Sequence, residues 1–378
     1  MMPRILTRSF YHGLRGLHGL NRATRNGRTG SFFVCLAYFV VLSLLSMKIL
    51  FIGGTGNIST ECSALLHGRG HEILILTRGR ASVPSNYLAI TGDHKEPAAM
   101  RAALKGIRPD IVLNFIAFDV PDVQLDYELF GGSVRQYIFI SSTTVYARPP
   151  RQLPLTEDAP LGNPAWDYAQ KKLACEQWLR QRHKEYGFPV TIVRPSHTYS
   201  KKWIPNPVSS SSYTFAARLE QGKPVFVHDD GQTRWTVTAA SDFAVGLAGL
   251  VGNGKAIGEA FHITSDEVLT WNQIYTKIAA ALGVASPRIT KIPTDFICQI
   301  APRLIGTLKG DKAHPGVFDN SRIKRFVPEF KCHKPFSAGV RESVVWLRAH
   351  PDQQNLNPEI DGLIERVLDA WEKEATPR

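Results

Sequence analysis

At 378 residues, with 43% hydrophobic and 21% charged content, the chain has the ordinary composition of a globular protein, and its length suits two domains or one domain with a large extension. Its five cysteines (Cys35, Cys62, Cys175, Cys298, Cys332) are odd in number and scattered, with no C-x-x-C pair. That excludes a disulfide framework or a zinc site and fits a reducing, cytoplasmic setting. Of the net charge of +12, six arginines in residues 1–46 supply half, and the remaining +6 is mildly basic without being a nucleic-acid signature.

Residues 1–46 combine this Arg-rich opening with a 14-residue apolar run, Phe32–Leu45. The run falls short of the ~20 residues that span a bilayer as a helix. The tail reads as a targeting sequence, a membrane anchor or a misassigned start ahead of Met47. Membrane association or organelle targeting would follow only from the first two.

From Met47 onward, apolar strand-like runs alternate with helix-like segments. The runs are Ile49–Ile52, Ile73–Leu76, Tyr87–Thr91, Ile111–Phe115, Tyr137–Ser141 and Val190–Arg194, and the helical segments include Pro97–Leu104 and Tyr168–Tyr186. Near-continuous apolar strands between helices predict an α/β fold with a doubly wound parallel sheet, covered on both faces. The predicted division is a nucleotide-binding domain over 47–195 and a smaller α/β substrate lobe over 196–378, with 225–245 partly returning to the first domain. The lobe is expected to hold short strands (Val225–Val227, Ala260–Ile263) and three helices (Trp271–Leu282, Phe336–Ala349, Ile360–Lys373).

Between the first run and its helix stands Gly53-Gly54-Thr55-Gly56-Asn57-Ile58-Ser59, a G-x-x-G-x-x-S turn. Glycines in a strand–turn–helix unit let the backbone approach a pyrophosphate, with the helix N-terminus pointing free N–H groups at the anion. Gly53, Gly56, Asn57 and Ile58 are therefore candidate cofactor contacts. Ser59 stands where a third glycine normally allows close helix–strand packing, so a slightly looser contact is expected. The second run ends at Thr77, followed by Arg78 and no acid. An acid there would bind the ribose hydroxyls of NAD, whereas an arginine pairs with a 2′-phosphate. NADP(H) is thus favoured, with NAD(H) left open.

Tyr168 and Lys172 stand four apart in WDYAQKKLACEQWL, one turn apart on one helix face. A tyrosine titrates near ~10, and a fixed ammonium beside it favours the phenolate. The pair is then a proton donor or acceptor for an alcohol–ketone interconversion. Ser142, 26 residues earlier, ends a strand in a hydroxyl cluster (SSTTVY), where open α/β sheets place ligand groups. Trp166, Trp203 and Trp235 flank site-like segments, where such rings pack a core or stack on a base or sugar. Twelve histidines show no metal-ligand spacing, and only His197 is expected at the site.

These motifs, together with Asp93 in ITGDHKEP, the strand-end VRPSHTY and DGQTRWTVTAASDFA, make residues 47–270 resemble the extended short-chain dehydrogenase/reductases, the NAD-dependent epimerase/dehydratase group. The resemblance implies a Rossmann-type fold and a Ser142–Tyr168–Lys172 triad in which Lys172 also holds the nicotinamide ribose. It implies Asp93, Phe115, Ala117 and Pro195 at the cofactor, and Thr143, His197 and Arg234 at the substrate, Arg234 on a phosphate. Lys171 is excluded by spacing. The expected ligand is a sugar or nucleotide sugar, with a homodimer left open.

Three departures are visible. The segment between Phe118 and Tyr137 is short, so the usual helix and its supporting asparagine are expected to be missing or abbreviated. His197 replaces a substrate-binding asparagine. Thr143-Thr144 stand where 4,6-dehydratases carry Asp-Glu, which disfavours dehydration. Such traits resemble an atypical subgroup that includes proteins similar to chloroplast stem-loop RNA-binding proteins. The alternative to an enzyme is accordingly a cofactor-binding scaffold for RNA or a protein partner.

Overall fold

A computed structural model describes residues 46–375; the expectations for the tail lie outside the described residues. In chain order its strands are β1 (Lys48–Ile52), β2 (Glu72–Thr77), β3 (Leu88–Thr91), β4 (Ile111–Asn114), β5 (Gln136–Ile140), β6 (Val190–Pro195), β7 (His197–Tyr199), β8 (Val225–His228), β9 (Arg234–Trp235), β10 (Val237–Ala239), β11 (Ala260–Ile263), β12 (Leu269–Thr270) and β13 (Ile289–Ile292).

Seven of these form one parallel sheet in the order β11-β6-β5-β4-β1-β2-β3. Strands such as KILFI and QYIFI are buried on both faces, which is why they read as continuous apolar runs rather than alternating ones. From β1 the chain winds outward through β2 and β3, then returns to β4 on the other side. Right-handed crossovers in the two directions put their helices on opposite faces. Helices Ser59–Gly68 and Ala240–Leu250 pack together, as do Val120–Phe130 and Asp167–Tyr186. The winding reverses between β1 and β4, and a crevice opens beyond their carboxyl ends.

The helix expected to be missing or abbreviated before Tyr137 is present and short, spanning the 11 residues Val120–Phe130. Its proline lies in the first turn, where no backbone donor is lost, and the Asp122 carboxylate accepts the Phe118 N–H at 2.8 Å. No asparagine lies on it.

The rest of the chain builds on small two-stranded pairings, β10–β7, β12–β9 and β13–β8. Trp271, Phe215, Tyr275, Phe336 and their neighbours form a separate apolar cluster there. The chain returns to the main sheet through helix Ala240–Leu250 and β11, so the return expected over 225–245 runs mostly later.

Candidate active site

The turn after β1 is shaped for close approach. Gly53 has φ +83°, and a Cβ there would lie 2.4 Å from the Ile116 methyl group. Only glycine fits a position that is left-handed and also crowded. Ser59 ties the turn together: its hydroxyl accepts the Gly56 N–H at 2.9 Å and donates to the Gly53 carbonyl at 2.8 Å. The serine closes the loop with two hydrogen bonds where a glycine would only allow contact. Asn57 ties this turn to the far wall. Its Nδ2 donates to the Thr198 carbonyl at 2.9 Å, and its Oδ1 accepts from Ser200 Oγ at 2.6 Å.

Across the crevice, Asn114 ends β4 and shapes the next loop. Its Oδ1 accepts the N–H groups of Ile116 and Ala117, each at 2.8 Å. Its Nδ2 donates to Asp126 at 2.5 Å. The buried Asp126 carboxylate also takes the Tyr137 hydroxyl at 2.5 Å and lies 2.9 Å from His94 Nε2. None of this network was visible in the sequence, because its members come from four separate elements.

Lys172 projects from helix Asp167–Tyr186 into the gap between β4 and β5. Its Nζ donates to the Ala117 carbonyl at 2.7 Å and the Ile140 carbonyl at 2.8 Å. The ammonium also lies 4.7 Å from the Phe118 ring centre and 4.9 Å from that of Phe139. Burial pulls its pKa down to about 8. Lys171 instead pairs with Asp167 at the exposed surface, 3.0 Å away.

Ser142 Oγ accepts from Thr144 twice, from its N–H at 3.2 Å and its hydroxyl at 3.0 Å. That leaves the serine's own proton available to Tyr168, its neighbour on the cavity lining. Tyr168 lies among the rings of Trp166 (centroids 5.1 Å apart) and Phe118 (6.1 Å). Burial pushes its pKa up to about 12; the neighbouring Ser142 hydroxyl pulls the other way, and the Asp311 charge adds to the rise. The lowering expected from Lys172 is therefore not what the structure shows. The amine is spent on two carbonyls, and its Nζ lies 6.0 Å from the phenol ring centre.

One cavity of about 440 Å³ joins these parts. Of the expected residues, it brings together Gly53, Gly56, Asn57, Ile58, Phe115, Ser142, Thr143, Tyr168, Lys172, Pro195 and His197. Ala117 is buried and gives its carbonyl to Lys172. Arg78 and Asp93 follow the carboxyl ends of β2 and β3, outside the cavity but on the edge toward which the glycine turn leads; Gly53 N–H donates to Leu76 at 3.2 Å. Arg234 is not at the site. It is exposed on β9, whose antiparallel pairing with β12 sets it opposite Thr270. Trp235 is core: its ring stacks on Trp271, centroids 5.9 Å apart, and packs against Gly316. Trp166 and Trp203 line the cavity.

His197 is held by Ser210 Oγ at 2.7 Å on Nε2, while its buried Nδ1 has no hydrogen-bond partner among the described residues. Burial, and then the Lys312 charge, hold its pKa well below the usual histidine value. Asp311 and Lys312, which carry no sequence motif, complete the wall.

The sequence pattern of the NAD dependent epimerase/dehydratase family matches residues 49–130 and 127–263. The chain belongs to this family. Its members among characterised proteins include epimerases, dehydratases and reductases, and this chain is an enzyme of that family. It is 26% identical over 307 residues to the 2'-dehydrokanamycin reductase of Streptomyces kanamyceticus, covering 80% of this chain and 85% of that protein. It is 27% identical over 265 residues to the chloroplast stem-loop binding protein of 41 kDa b of Arabidopsis thaliana, covering 66% and 67%. Among solved structures, the Bacillus cereus UDP-glucuronic acid 4-epimerase, in complex with UDP-glucuronic acid and NAD, superposes with a TM-score of 0.65 at 18% identity, covering 80% of this chain and 99% of that one. The epimerase Mth375 of Methanothermobacter thermautotrophicus gives a TM-score of 0.67 at 18% identity, covering 82% and 95%. These structures share the Rossmann-type fold. No helix among the described residues is long and apolar enough to cross a membrane.

Proposed function

We propose that the protein interconverts a hydroxyl and a ketone on a sugar or nucleotide sugar, with Tyr168 moving the proton. The observation that carries this reading is the convergence of Ser142, Tyr168 and Lys172 on one cavity with a glycine turn whose Cβ space is filled by Ile116. That turn fits a nicotinamide dinucleotide. Gly53, Gly56, Asn57 and Ile58 would hold its pyrophosphate, Phe115 and Pro195 would flank it, and Lys172 would reach the ribose. Such a dinucleotide, when bound, supplies or accepts the hydride.

The residues of the chain do the rest. With its pKa pushed up to about 12, the Tyr168 phenol is protonated at neutral pH. Its ready step is donation of that proton to a ketone oxygen as the carbon takes hydride, leaving an alcohol. Ser142, its hydroxyl oriented by Thr144, holds the same oxygen. Lys172 fixes the loop at Ala117 and the end of β5 at Ile140, which keeps the Phe118 ring against Tyr168. Reduction is thus the favoured direction of a single turnover. Return of hydride to the opposite face of a transient ketone gives epimerisation.

Arg78 stands beyond β2 without an acid beside it, so NADP(H) is the proposed cofactor over NAD(H). Asp93 would meet the adenine.

Tyr168→Phe tests the reading, because the ring stays and only the hydroxyl leaves. Nucleotide binding, followed by fluorescence, should be unchanged, while turnover of keto-sugar substrates should fall about 100- to 10,000-fold. A variant as active as wild type sinks the proposal. So does a wild type that binds nucleotide, turns over no sugar and binds RNA with salt-sensitive affinity.

A further inference from the structure

The segment Leu308–Lys312 forms a single π-turn, a rare geometry that concentrates at functional sites. It is fixed at three points. The Lys312 carbonyl accepts from His228 Nε2 at 3.0 Å and from Trp271 Nε1 at 3.1 Å, both fully buried donors. The Gly310 carbonyl accepts from Asn163 Nδ2 at 2.6 Å, and the same amide nitrogen donates to the Thr144 carbonyl at 2.8 Å, in the Ser142 loop. Gly306 and Gly310 let Trp166 pack against the segment: a Cβ on Gly306 would lie 2.2 Å from the indole. Three buried hydrogen bonds and the packing of Trp166 therefore hold Asp311 and Lys312 in place on the cavity wall.

The charges they carry do not cancel. The Asp311 carboxylate faces Arg148 at 3.3 Å on one oxygen and Lys312 Nζ at 3.4 Å on the other. Two cations thus share one anion, with all three side chains at least nine-tenths buried. The Lys312 ammonium makes only that one long hydrogen bond among the described residues. Lys172, the other cation on the lining, is already committed to two carbonyls. Lys312 also lies 5.9 Å from the Trp166 ring centre, and Trp166 touches Tyr168. The net positive charge of this trio therefore lies on the cavity wall, on the Trp166 side that packs against Tyr168, and Arg234 is not among the residues lining the cavity.

We propose that Lys312, poised by Asp311 and the π-turn, binds an anionic group on the substrate ring, a carboxylate in place of a neutral hydroxymethyl group. The inference deepens the proposed sugar chemistry and rests on it. A diphosphate is the other source of such an anion, but it would lie farther from the reacting carbon.

The test compares wild type, Lys312→Met and Lys312→Arg on free and UDP-linked glucuronate and on the matching glucose compounds. Lys312→Met should lower kcat/KM for the acid sugars at least about tenfold more than for the neutral ones, and Lys312→Arg should restore most of the difference. Equal losses on both classes, with the melting temperature unchanged, would overturn the proposal. So would a wild-type preference for glucosamine. Equilibrium binding of glucuronate, its methyl ester and UDP to the NADP-loaded protein gives a second readout. If no sugar is turned over, the oxidoreductase reading fails, yet weaker glucuronate binding in Lys312→Met, with the ester unaffected, still supports the anion site. Weakened UDP binding with glucuronate unaffected would overturn its placement.

Discussion

Lys172 offers a sharp physical test, because its position sets two large effects against each other. Replacing it with methionine strips the Ala117 and Ile140 carbonyls of a charged donor, costing about 1.5–3 kcal/mol for each bond. The same change removes a buried ammonium whose pKa is pulled down to about 8 from 10.5, a burden of about 3 kcal/mol at neutral pH, at about 1.4 kcal/mol per unit. The two nearly offset, so Lys172→Met should lie within about 3 kcal/mol of wild type near neutrality. The pH dependence separates them. Between about pH 8 and 10.5 the unfolded lysine keeps its proton while the folded one has lost it. The unfolded state then binds more protons, and this residue makes wild type more stable as pH rises. Urea unfolding of both proteins at about pH 7.5 and 9.5 should show wild type gaining about 2 kcal/mol on the variant. Other titrating groups drop out of the difference. Parallel profiles would mean that burial does not depress the Lys172 pKa, and would refute the account of Lys172 given above.

Two further outcomes follow from the cofactor cradle. Gly53→Ala places a methyl group into Ile116 at a left-handed φ, so nucleotide affinity should fall at least about tenfold with a loss of about 1–2 kcal/mol in stability; fluorescence titration beside chemical denaturation reads both, and unchanged affinity would show that the turn does not approach the ligand. Arg78→Ser should weaken NADPH binding about tenfold and spare NADH, measured in paired titrations; a wild type that binds the two equally would remove the arginine's assigned role.

Much of this architecture is legible in the chain because buried parallel strands write themselves as unbroken apolar runs. Ile49–Ile52 and Tyr137–Ser141 lie within one residue, at each end, of the observed Lys48–Ile52 and Gln136–Ile140. The four-residue spacing of Tyr168 and Lys172 does place both side chains at the cavity, and Ser142 does follow a strand end. What sequence could not carry was environment. The upward shift of Tyr168 comes from Trp166 and Phe118 packing around it and from Asp311, more than 140 residues away. Helix Val120–Phe130 was hidden because a short segment opening on Val-Pro-Asp reads as a loop until its first-turn proline is set in place. Arg234 fits its motif but sits on a two-residue strand whose partner directs it elsewhere, a fact of tertiary pairing. Asp311 and Lys312 left no trace because a π-turn has no periodic signature.

The Asn163 amide, joining the Thr144 and Gly310 carbonyls, bears on how the enzyme is made. It links chain positions synthesised far apart in time. A nascent polypeptide that has emerged only as far as β11 already owns every strand of the main sheet, yet still lacks Asp311 and Lys312 on the cavity wall. Completion of that wall is therefore the last step in assembling the cavity, and a prematurely terminated product would retain the glycine turn, Ser142, Tyr168 and Lys172 without it.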